Sequence, residues 1–597
     1  QNGLGNIWSI IGTRFTSMWV ATAIFWPICN AINICTTQNQ HRVRFQNIAG
    51  LIWGIISSSL LHGWAFLGNW GFLPLTWVAG IITIASVALT AVLGTTQKHA
   101  PKSFASALYD NLKNTEDQTP FNEFTFDDFK QLAYTDTTPP LTKKNLKLAI
   151  NALKGLPTDK QKIMIDRLGL IGSKDLYSIH RWYKDVAWKV ALLQLKDKDI
   201  DTDSMVGGLV GLRYISSKQA SELKGQLATP GNLADVRNQL KSGKAIMVYG
   251  IEVRYHPIKK CFVHRNDQTL QQFKNTALQI RAPPKVVVNV LVYNKEGWSE
   301  VRGLLKSIKE SQKFKPTPNV EVCILDNGYG QGELEKLQKE FSEEPTFTLT
   351  LARSPKNLGF DLGNNVLVDY ALDTALADIV FMLNDDTIVD KNFLGEMMEP
   401  LQEEAYKISD TEYHIGVVGP VVYYSKEEPD ADEPIFDGKI QTSGEFFSGD
   451  RVHPRGDTNS WDKVRTVDIV WGMAMAMSVD ALRTIGAWDD RCFAYEEEKD
   501  HALRVKLAGY TNIVIKAAKV LHISGASENE KGKDIFIRNL ARNLFLVYRK
   551  HGSRWGWKYF YEDFKWCLRF GRNEGKLLLV LRGLIDGILG RFDETQV

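Results

Sequence analysis

In the second half of the chain, short apolar runs alternate with helical segments, and this alternation limits the possible folds more than any other feature. The apolar runs are Val286–Tyr293, Val320–Asp326, Thr346–Ala352 and Ile379–Leu383. Strands that alternate with helices form right-handed β-α-β units around a mostly parallel sheet. The sequence therefore predicts an α/β domain of Rossmann-like topology.

Polar residues follow each of these strands. They are Tyr293, Asn294 and Glu296 after the first, Asp326 at the end of the second, Asn357, Gly359 and Asn365 after the third, and Asn384, Asp385 and Asp386 after the fourth. In an open α/β sheet, ligands bind beyond the carboxyl ends of the strands. The sequence thus predicts a binding site at this edge. It contains no phosphate-binding G-x-x-x-x-G-K-[ST] segment, so an ATPase has no support.

Asp385 and Asp386 place two carboxylates side by side at a strand end. Such a pair repels itself unless a cation or hydrogen-bond donors offset the charge, and a hard divalent ion such as Mg²⁺ is held in this way. The alternative is an acidic turn that leads into the next helix, whose start Asp390 and Asn392 would suit. These residues alone leave both interpretations open, and the polar edge as a whole favours the metal ion.

Three later motifs carry candidate chemistry. Trp471 and Gly472 interrupt an apolar run, and Glu496–Glu498 open a predicted helix. Acidic residues in a first helical turn are favoured by the helix dipole, but a carboxylate at this position can also be a general base for an incoming hydroxyl. His522 follows a strand-like run and, taken alone, is typical of a hydrogen-bonded structural histidine.

The first hundred residues contain three uncharged segments, Thr16–Thr36, Ile48–Gly68 and Leu73–Gly94, each long enough to span a bilayer. A buried helical hairpin is the alternative. Basic residues, including Arg42 and Lys98, lie between the first two segments and after the third, which places the rest of the chain on the cytoplasmic side. Because the chain begins with Gln1 rather than Met, three segments is a minimum. We therefore expect a multi-pass membrane protein.

Composition excludes little else. Hydrophobic residues make up 44% and charged residues 24% of the chain, as in folded proteins, and the net charge of +3 gives no argument for nucleic acid. The six cysteines form no C-x-x-C pair, which indicates reduced thiols. We expect an α+β accessory domain of unknown role over 100–284. A helical region over 528–597 is expected to lie on the membrane surface or to pack against the catalytic domain or another subunit.

The motifs VLVYNKEGW, VCILDNGYGQG, SPKNLGFDLGNN, FMLNDDTIV, the segment from Trp471 to Tyr510, and LHISGAS occur in this order over residues 285–527. Together they resemble family-2 glycosyltransferases of the GT-A fold, and more narrowly the rhamnosyltransferase and galactofuranosyltransferase branch. The resemblance implies a GT-A catalytic domain over 285–527, after a transmembrane region over 1–99.

The resemblance also implies roles for single residues. The nucleotide pocket would be lined by Tyr293, Asn294, Glu296 and Asp326, and the nucleotide and donor sugar would be bordered by Asn357, Gly359 and Asn365. The motif that holds Mn²⁺ or Mg²⁺ would be Asn384, Asp385 and Asp386, with His522 completing the metal or diphosphate site. The catalytic base would be Glu497, with Glu498 beside it, and the acceptor would lie near Trp471 and Gly472. Asp386 is the best-matched metal ligand. The motif has Asn rather than Asp at its first position.

The implied function is a membrane-anchored, inverting glycosyltransferase of polysaccharide biosynthesis. It would move a sugar from a UDP-, dTDP- or GDP-linked donor to a hydroxyl of a glycan or lipid-linked acceptor, and a homo-oligomer is left open. One alternative is a processive polysaccharide synthase, but the closest match to its Q-x-x-R-W motif is HGSRW at His551–Trp555, which lacks the Gln. The other is an inactive membrane-anchored scaffold of the same fold.

Overall fold

The structure, a computed structural model, describes residues 125–592 apart from the segments 136–137, 173–174, 212–213, 230, 267–277, 281, 294–296, 315–318, 329–331, 426–438, 442–461, 524–529 and 553–556. The three segments expected to span a membrane lie outside the described residues. Within the described part of the chain, no helix has both the length and the apolar character needed to cross a bilayer.

The described part of the chain before residue 285 is helical and ends in a small antiparallel sheet. Its helices are α1 (Phe126–Ala133), α2 (Lys143–Leu153), α3 (Thr158–Leu168), α4 (Leu176–Leu193), α5 (Thr202–Gly211), α6 (Ser217–Leu227) and α7 (Asn232–Lys241), and its strands are β1 (Ile246–Val248), β2 (Ile251–His256), β3 (Cys261–Asn266) and β4 (Leu278–Gln279), in the order β3-β2-β1-β4. Thr125 and Ser216 begin α1 and α6 with capping boxes, in which a side-chain oxygen satisfies an otherwise unpaired N–H. The expected α+β character of this region is present.

The second half of the chain builds a larger mixed sheet. Its strands are β5 (Val286–Val292), β6 (Val320–Asp326), β7 (Thr348–Arg353), β8 (Ile379–Asn384), β9 (Thr387–Val389), β12 (Ile415–Ser425), β13 (Lys439–Gln441), β14 (Val464–Val467), β15 (Ala474–Ser478) and β16 (Thr511–Ile523), with β10 (Tyr406–Ile408) and β11 (Thr411–Tyr413) forming a separate hairpin. The helices between them are α8 (Gly297–Phe314), α9 (Glu333–Glu340), α10 (Gly359–Asp369), α11 (Phe393–Gln402), α12 (Val479–Ile485) and α13 (Glu497–Leu507).

Strand order explains how the site residues meet. The four predicted strands pair in parallel in the order β7-β6-β5-β8, so their carboxyl ends lie along one edge. The neighbouring β15 runs antiparallel to β8 and to β12, whereas β12 and β16 are parallel to each other. The prediction of a mostly parallel sheet is therefore corrected to a mixed sheet, because the Trp471–Gly472 turn sends β15 back alongside β8.

Helices cover both faces of this sheet, as the apolar strand sequences require. Alternate residues of β5 face opposite apolar layers, with Val288 and Val290 packing in one layer and Val287 and Leu291 in the other. All seven residues of β5 and of β6 are buried. Continuous apolar runs are typical of parallel strands that are buried on both faces.

The helices before residue 285 are joined to the elements around the larger sheet through buried ion pairs. Asp185 on α4 is fully buried and contacts Arg167 at 2.9 Å, Arg181 at 3.0 Å and Arg483 of α12 at 3.2 Å. Arg181 also reaches Asp373, beyond α10, at 2.8 Å. Breaking a buried pair strands a charge in a medium of low dielectric, at a cost of about 3–5 kcal/mol. The described residues of Lys102–His551 and Lys558–Val597 accordingly form one compact unit.

The chain ends in three further helices, α14 (Glu530–His551), α15 (Trp557–Asn573) and α16 (Leu577–Leu589). Gly583 and Gly587 let α16 approach α14 closely, because a Cβ at either position would lie within 2.6 Å of a carbonyl oxygen of α14. The opposite side of α16 is open, and Leu578 is 81% exposed. In the same region, α14 contacts α13, the helix that begins at Glu497.

Candidate active site

At the end of β6, Asp326 and Asn327 hold the loop that follows β7. Asp326 is fully buried, and its Oδ2 accepts a hydrogen bond from Nε of Arg353 at 2.9 Å. The Asn327 side chain donates to Oδ1 of Asn357 at 3.0 Å and to the carbonyl of Gly359 at 3.1 Å, and it accepts from the N–H of Leu358 at 2.8 Å. Asn327, which the sequence analysis did not single out, thus fixes the loop predicted to border the donor.

Position 359 requires a glycine. Its φ of +79° belongs to the left-handed region, and a Cβ there would lie 2.6 Å from both the carbonyl oxygen and the ring of Phe493. That carbonyl accepts the N–H of Phe360 at 2.6 Å. The loop is therefore clamped between Asn327 and the segment that leads to the three glutamates.

Asn365 is hydrogen-bonded to the backbone of a distant segment of the chain. Its side chain is fully buried, and its amide exchanges two hydrogen bonds with the backbone of Trp488, at 3.0 and 3.1 Å. Both polar atoms are occupied by protein. Asn365 therefore joins α10 to the segment before α13, and its place beside the donor stays a prediction.

Asp386 and His522 come together at the ends of β8 and β16, where Nε2 of His522 lies 3.2 Å from Oδ1 of Asp386. The backbone supports this approach, because His522 pairs with Thr387 across the β9–β16 ladder and the N–H of Ile523 donates to the carbonyl of Asp386 at 2.8 Å. Residues 136 positions apart in sequence thus present a carboxylate and an imidazole to one point.

The side chain of Asp385 is buried beside that of Asp386 and faces Glu300 on α8. Burial, followed by the charges of Asp386 and Glu300, raises the pKa of the Asp385 carboxyl well above its ordinary value. Oδ2 of Asp385 and Oδ1 of Asp386 are buried without a hydrogen-bond donor. Buried carboxylate oxygens that lack donors fit a hard divalent cation, which Asp386 and His522 would hold and Asp385 would support.

The turn at Trp471–Met473 connects this acidic edge to the glutamates. The N–H of Asn384 donates to the carbonyl of Met473 at 2.9 Å, and the N–H of Gly472 donates to Oε1 of Glu498 at 3.2 Å. Trp471 is half-buried at the same turn. The acidic strand end, the predicted acceptor residues and Glu498 therefore meet at one place.

The three consecutive glutamates have three different surroundings. Glu496 precedes α13 with a φ of +73° and pairs with Lys499 at 2.6 Å, a structural role. Glu497 is 4% exposed, and its Oε2 has no hydrogen-bond partner. Glu498 is half-buried and rests against Gly472. Burial raises the pKa of both, for Glu497 well above its ordinary value with further contributions from Glu498 and Asp361.

Asp361 is a buried acid that the sequence analysis did not single out as a site residue. It lies in the first turn of α10, is fully buried, and has no hydrogen-bond partner on either carboxylate oxygen. Burial, and then the charge of Asp489, raises its pKa well above the ordinary value. The first-turn position alone gives no signal of this, since acidic residues are common there.

Of the remaining predicted site residues, two are exposed to solvent and two belong to a segment that the structure does not describe. Tyr293 is 38% exposed just after β5, and Asn357 is exposed. Asn294 and Glu296 are among the residues that the structure does not describe.

A second acidic group lies apart from this edge. Carboxylate oxygens of Asp175, Asp489 and Asp490 lie within 4.8 Å of one another. Arg491 at 2.6 Å and Lys550 at 2.9 Å already neutralise Asp489, so this group is a charge network of the protein itself.

The mixed α/β sheet has an acidic strand end, a histidine opposite it and a carboxylate at a neighbouring helix start. This is the arrangement that the resemblance to glycosyltransferases implies. Residues 287–461 match the family described as Glycosyl transferase family 2, which confirms the resemblance that the motifs carry. Residues 1–58 match the Mpv17 / PMP22 family. No curated protein matches the chain.

Several solved structures are similar. The mannosyltransferase PcManGT from Pyrobaculum calidifontis, in complex with GDP-Man and Mn²⁺, is 13% identical and has a TM-score of 0.33, and the match covers 51% of this chain and 88% of that one. TarS 1-349 from S. aureus is 14% identical with a TM-score of 0.33, over 52% and 82% of the two chains. GalNAc-T7 with UDP, GalNAc and Mn²⁺ is 13% identical with a TM-score of 0.32, over 48% and 56%.

Proposed function

We propose that the protein is a metal-dependent, inverting glycosyltransferase that moves a sugar from a nucleotide-sugar to a hydroxyl of a glycan or lipid-linked acceptor. One observation carries the proposal: the Trp471–Met473 turn is hydrogen-bonded on one side to the acidic strand end and on the other to Glu498. A donor held at the strand end and an acceptor at the turn would lie within reach of that carboxylate.

Asp386 and His522, supported by Asp385, would hold Mn²⁺ or Mg²⁺. When bound, such an ion offsets the charge that develops on a diphosphate leaving group. Around it, the loop from Asn357 to Gly359 borders the donor, and Asp326 and Tyr293 lie on the side of the nucleotide.

Glu498 is the better candidate for the base, although the family resemblance favoured Glu497. Glu498 is the more exposed of the two and its carboxylate is oriented by Gly472, whereas Glu497 is buried and its strongly raised pKa favours the protonated form. Burial raises the pKa of the Glu498 carboxyl, and a raised pKa suits a general base, since efficiency is greatest when the pKa approaches the working pH. Glu498 takes the proton of the acceptor hydroxyl as its oxygen bonds to the anomeric carbon, and the bond from that carbon to the diphosphate breaks, which inverts the configuration.

Single or few sugar transfers are favoured over processive synthesis. His551 is the first residue of the closest match to the synthase motif, and it is buried with Nε2 bound to Oδ1 of Asp500 at 2.8 Å. His551 therefore stabilises α13, the helix that carries Asp500. Membrane attachment through the first hundred residues is also proposed, on the strength of the three uncharged segments and the match of residues 1–58.

Mass spectrometry of products from the purified full chain tests the proposal. The protein is offered UDP-, GDP- and dTDP-sugars with Mn²⁺ or Mg²⁺ and lipid-linked or glycan acceptors, and a product heavier by one sugar is expected with one donor class. An Asp386→Asn variant is the matched control for metal-dependent turnover. If nucleotide-sugars bind but neither transfer nor donor hydrolysis occurs with any of them, the protein is a scaffold of the same fold.

A further inference from the structure

The segment that leads into α13 is strained. Phe493, Tyr495 and Glu496 all have positive φ, at 65°, 75° and 73°, and none of them is glycine. Left-handed backbone is unfavourable for residues with a Cβ, so a run of this kind persists only where surrounding contacts impose it. Glu497 and Glu498 follow directly, so the strained segment sets where both carboxylates point.

One side chain of α14 supplies much of that constraint. Nδ2 of Asn543 donates to the carbonyls of Cys492 at 2.9 Å, Ala494 at 3.0 Å and Tyr495 at 2.8 Å. Its Oδ1 accepts from Nε of Arg542 at 2.9 Å, which fixes the orientation of the amide.

The carbonyl groups of residues 492–495 therefore accept hydrogen bonds from two different helices, α14 and α10. Those at 492, 494 and 495 turn toward α14, and the one at 493 turns the other way and accepts the N–H groups of Phe360 and Asp361 at 2.6 and 3.3 Å. Without the amide, the part-buried carbonyls of Ala494 and Tyr495 would lose this donor, whereas that of Cys492 would keep the guanidinium of Arg542 at 2.7 Å. The left-handed turn would thus lose hydrogen bonds that hold it against α14.

We propose that Asn543 is a positioning residue that holds the start of α13, and with it Glu497 and Glu498, in register with the donor loop. This inference rests on the proposed function for its effect on turnover, but its structural part does not. Phe493 also contacts the donor loop, but Asn327 holds that loop through three further hydrogen bonds that do not involve the segment before α13. Loss of the Asn543 amide should therefore affect catalysis more than donor binding.

The test compares Asn543→Leu, which keeps the side-chain volume and removes the amide, with Leu546→Ala. Leu546 is buried on the same helix but makes none of these hydrogen bonds, so it controls for general destabilisation. We expect Asn543→Leu to lower kcat by about tenfold or more, a substantial part of what a general base contributes. The affinity for the donor nucleotide, measured by titration calorimetry, should change little. Leu546→Ala should lower stability with a much smaller effect on kcat.

Hydrogen–deuterium exchange gives a second readout that needs no turnover. The N–H of Asp500 donates to the carbonyl of Glu496 at 3.2 Å, so a peptide that covers 491–500 reports on this turn. It should exchange faster in Asn543→Leu than in Leu546→Ala. Equal kcat and equal exchange in the two variants would overturn the inference and leave the proposed function intact. If the unaltered protein transfers no sugar, the proposed function fails, and the exchange comparison alone decides the role of Asn543.

Discussion

Nε2 of His522 lies 3.2 Å from Oδ1 of Asp386, although Asp386 lies in the turn after β8 and His522 lies in β16, 136 positions further along the chain. Neither residue would attract notice alone, since a histidine after a strand is usually structural. Their approach, next to a buried carboxylate oxygen of Asp385 without a donor, is what favours a cation at this point.

The first prediction concerns this metal site. Asp386→Asn should abolish Mn²⁺-stimulated transfer, and His522→Gln should weaken Mn²⁺ binding by about 10- to 100-fold, the range found for groups that complete or orient a metal site. Calorimetric titration of Mn²⁺ measures the affinity directly. Asp410→Asn, an exposed carboxylate at the β10–β11 turn, is the control and should bind Mn²⁺ as before. Unchanged Mn²⁺ affinity in both site variants would move the ion elsewhere.

The second prediction separates the two glutamates. Glu498→Gln should lower kcat by about 10²- to 10⁴-fold, the usual contribution of a general base, without weakening nucleotide binding. Glu497→Gln should have a smaller effect, because its buried carboxyl is expected to be protonated and Gln resembles that form. Single-turnover assays at saturating donor measure the difference. A greater loss in Glu497→Gln would return the base to the residue that the family resemblance indicated.

The third prediction concerns the donor loop. Gly359→Ala places a Cβ against the Phe493 carbonyl and adds a left-handed conformation that costs a non-glycine residue about 1–2 kcal/mol. The variant should be less stable to urea and should have a higher KM for the donor. Gly207→Ala is the matched control, because nothing lies within 4 Å of its Cβ position in α5 and alanine is the better helix former by about 1 kcal/mol. Equal stability of the two variants would argue against a clamped loop.

The fourth prediction follows from Asp490, whose pKa is raised to about 9 by burial and then by the neighbouring Asp175. In the unfolded chain this group ionises near its ordinary value of 3.8, so between the two values the folded state holds a proton that the unfolded state has lost. The free energy of unfolding therefore decreases as pH rises through this window. Asp490→Asn removes the contribution.

Melting temperatures at pH 5 and pH 8 measure this effect. The drop between the two should be smaller for Asp490→Asn than for the unaltered protein, and the variant should gain most at pH 8. Asp166→Asn, an exposed carboxylate on α3, should leave the drop unchanged. The same drop in all three proteins would mean that Asp490 is ionised in the folded state.

The sheet could be predicted from the sequence because its strands are continuous apolar runs, and β5 and β6 are buried on both faces as such runs require. The edge where the site lies follows from topology alone. The antiparallel course of β15 could not be predicted, since a five-residue apolar strand carries no mark of its direction.

Side-chain roles were less predictable. Asn365 bonds to a backbone 123 positions away, and only the folded chain shows that its amide is occupied. The left-handed turn before α13 is equally hidden, because Phe493, Tyr495 and Glu496 have no intrinsic preference for positive φ. Asn543 left a faint signal, a polar residue among the apolar positions of a helix, but nothing in that pattern names the carbonyls that it meets.

Asp185 makes ion pairs with Arg167, Arg181 and Arg483, and these pairs limit where the chain can be truncated. A shortened chain that started at Lys285 would keep Arg483 and Asp373, which lie 3.5 Å apart, but would lose Asp185 and Arg181, which also pair with them. It would also expose the surface of α12 that now packs on α3 and α4. Exchange of the preceding helices between relatives would need matched charges on both sides. We therefore expect residues 125–592 to evolve as one unit, with correlated substitutions in the two halves.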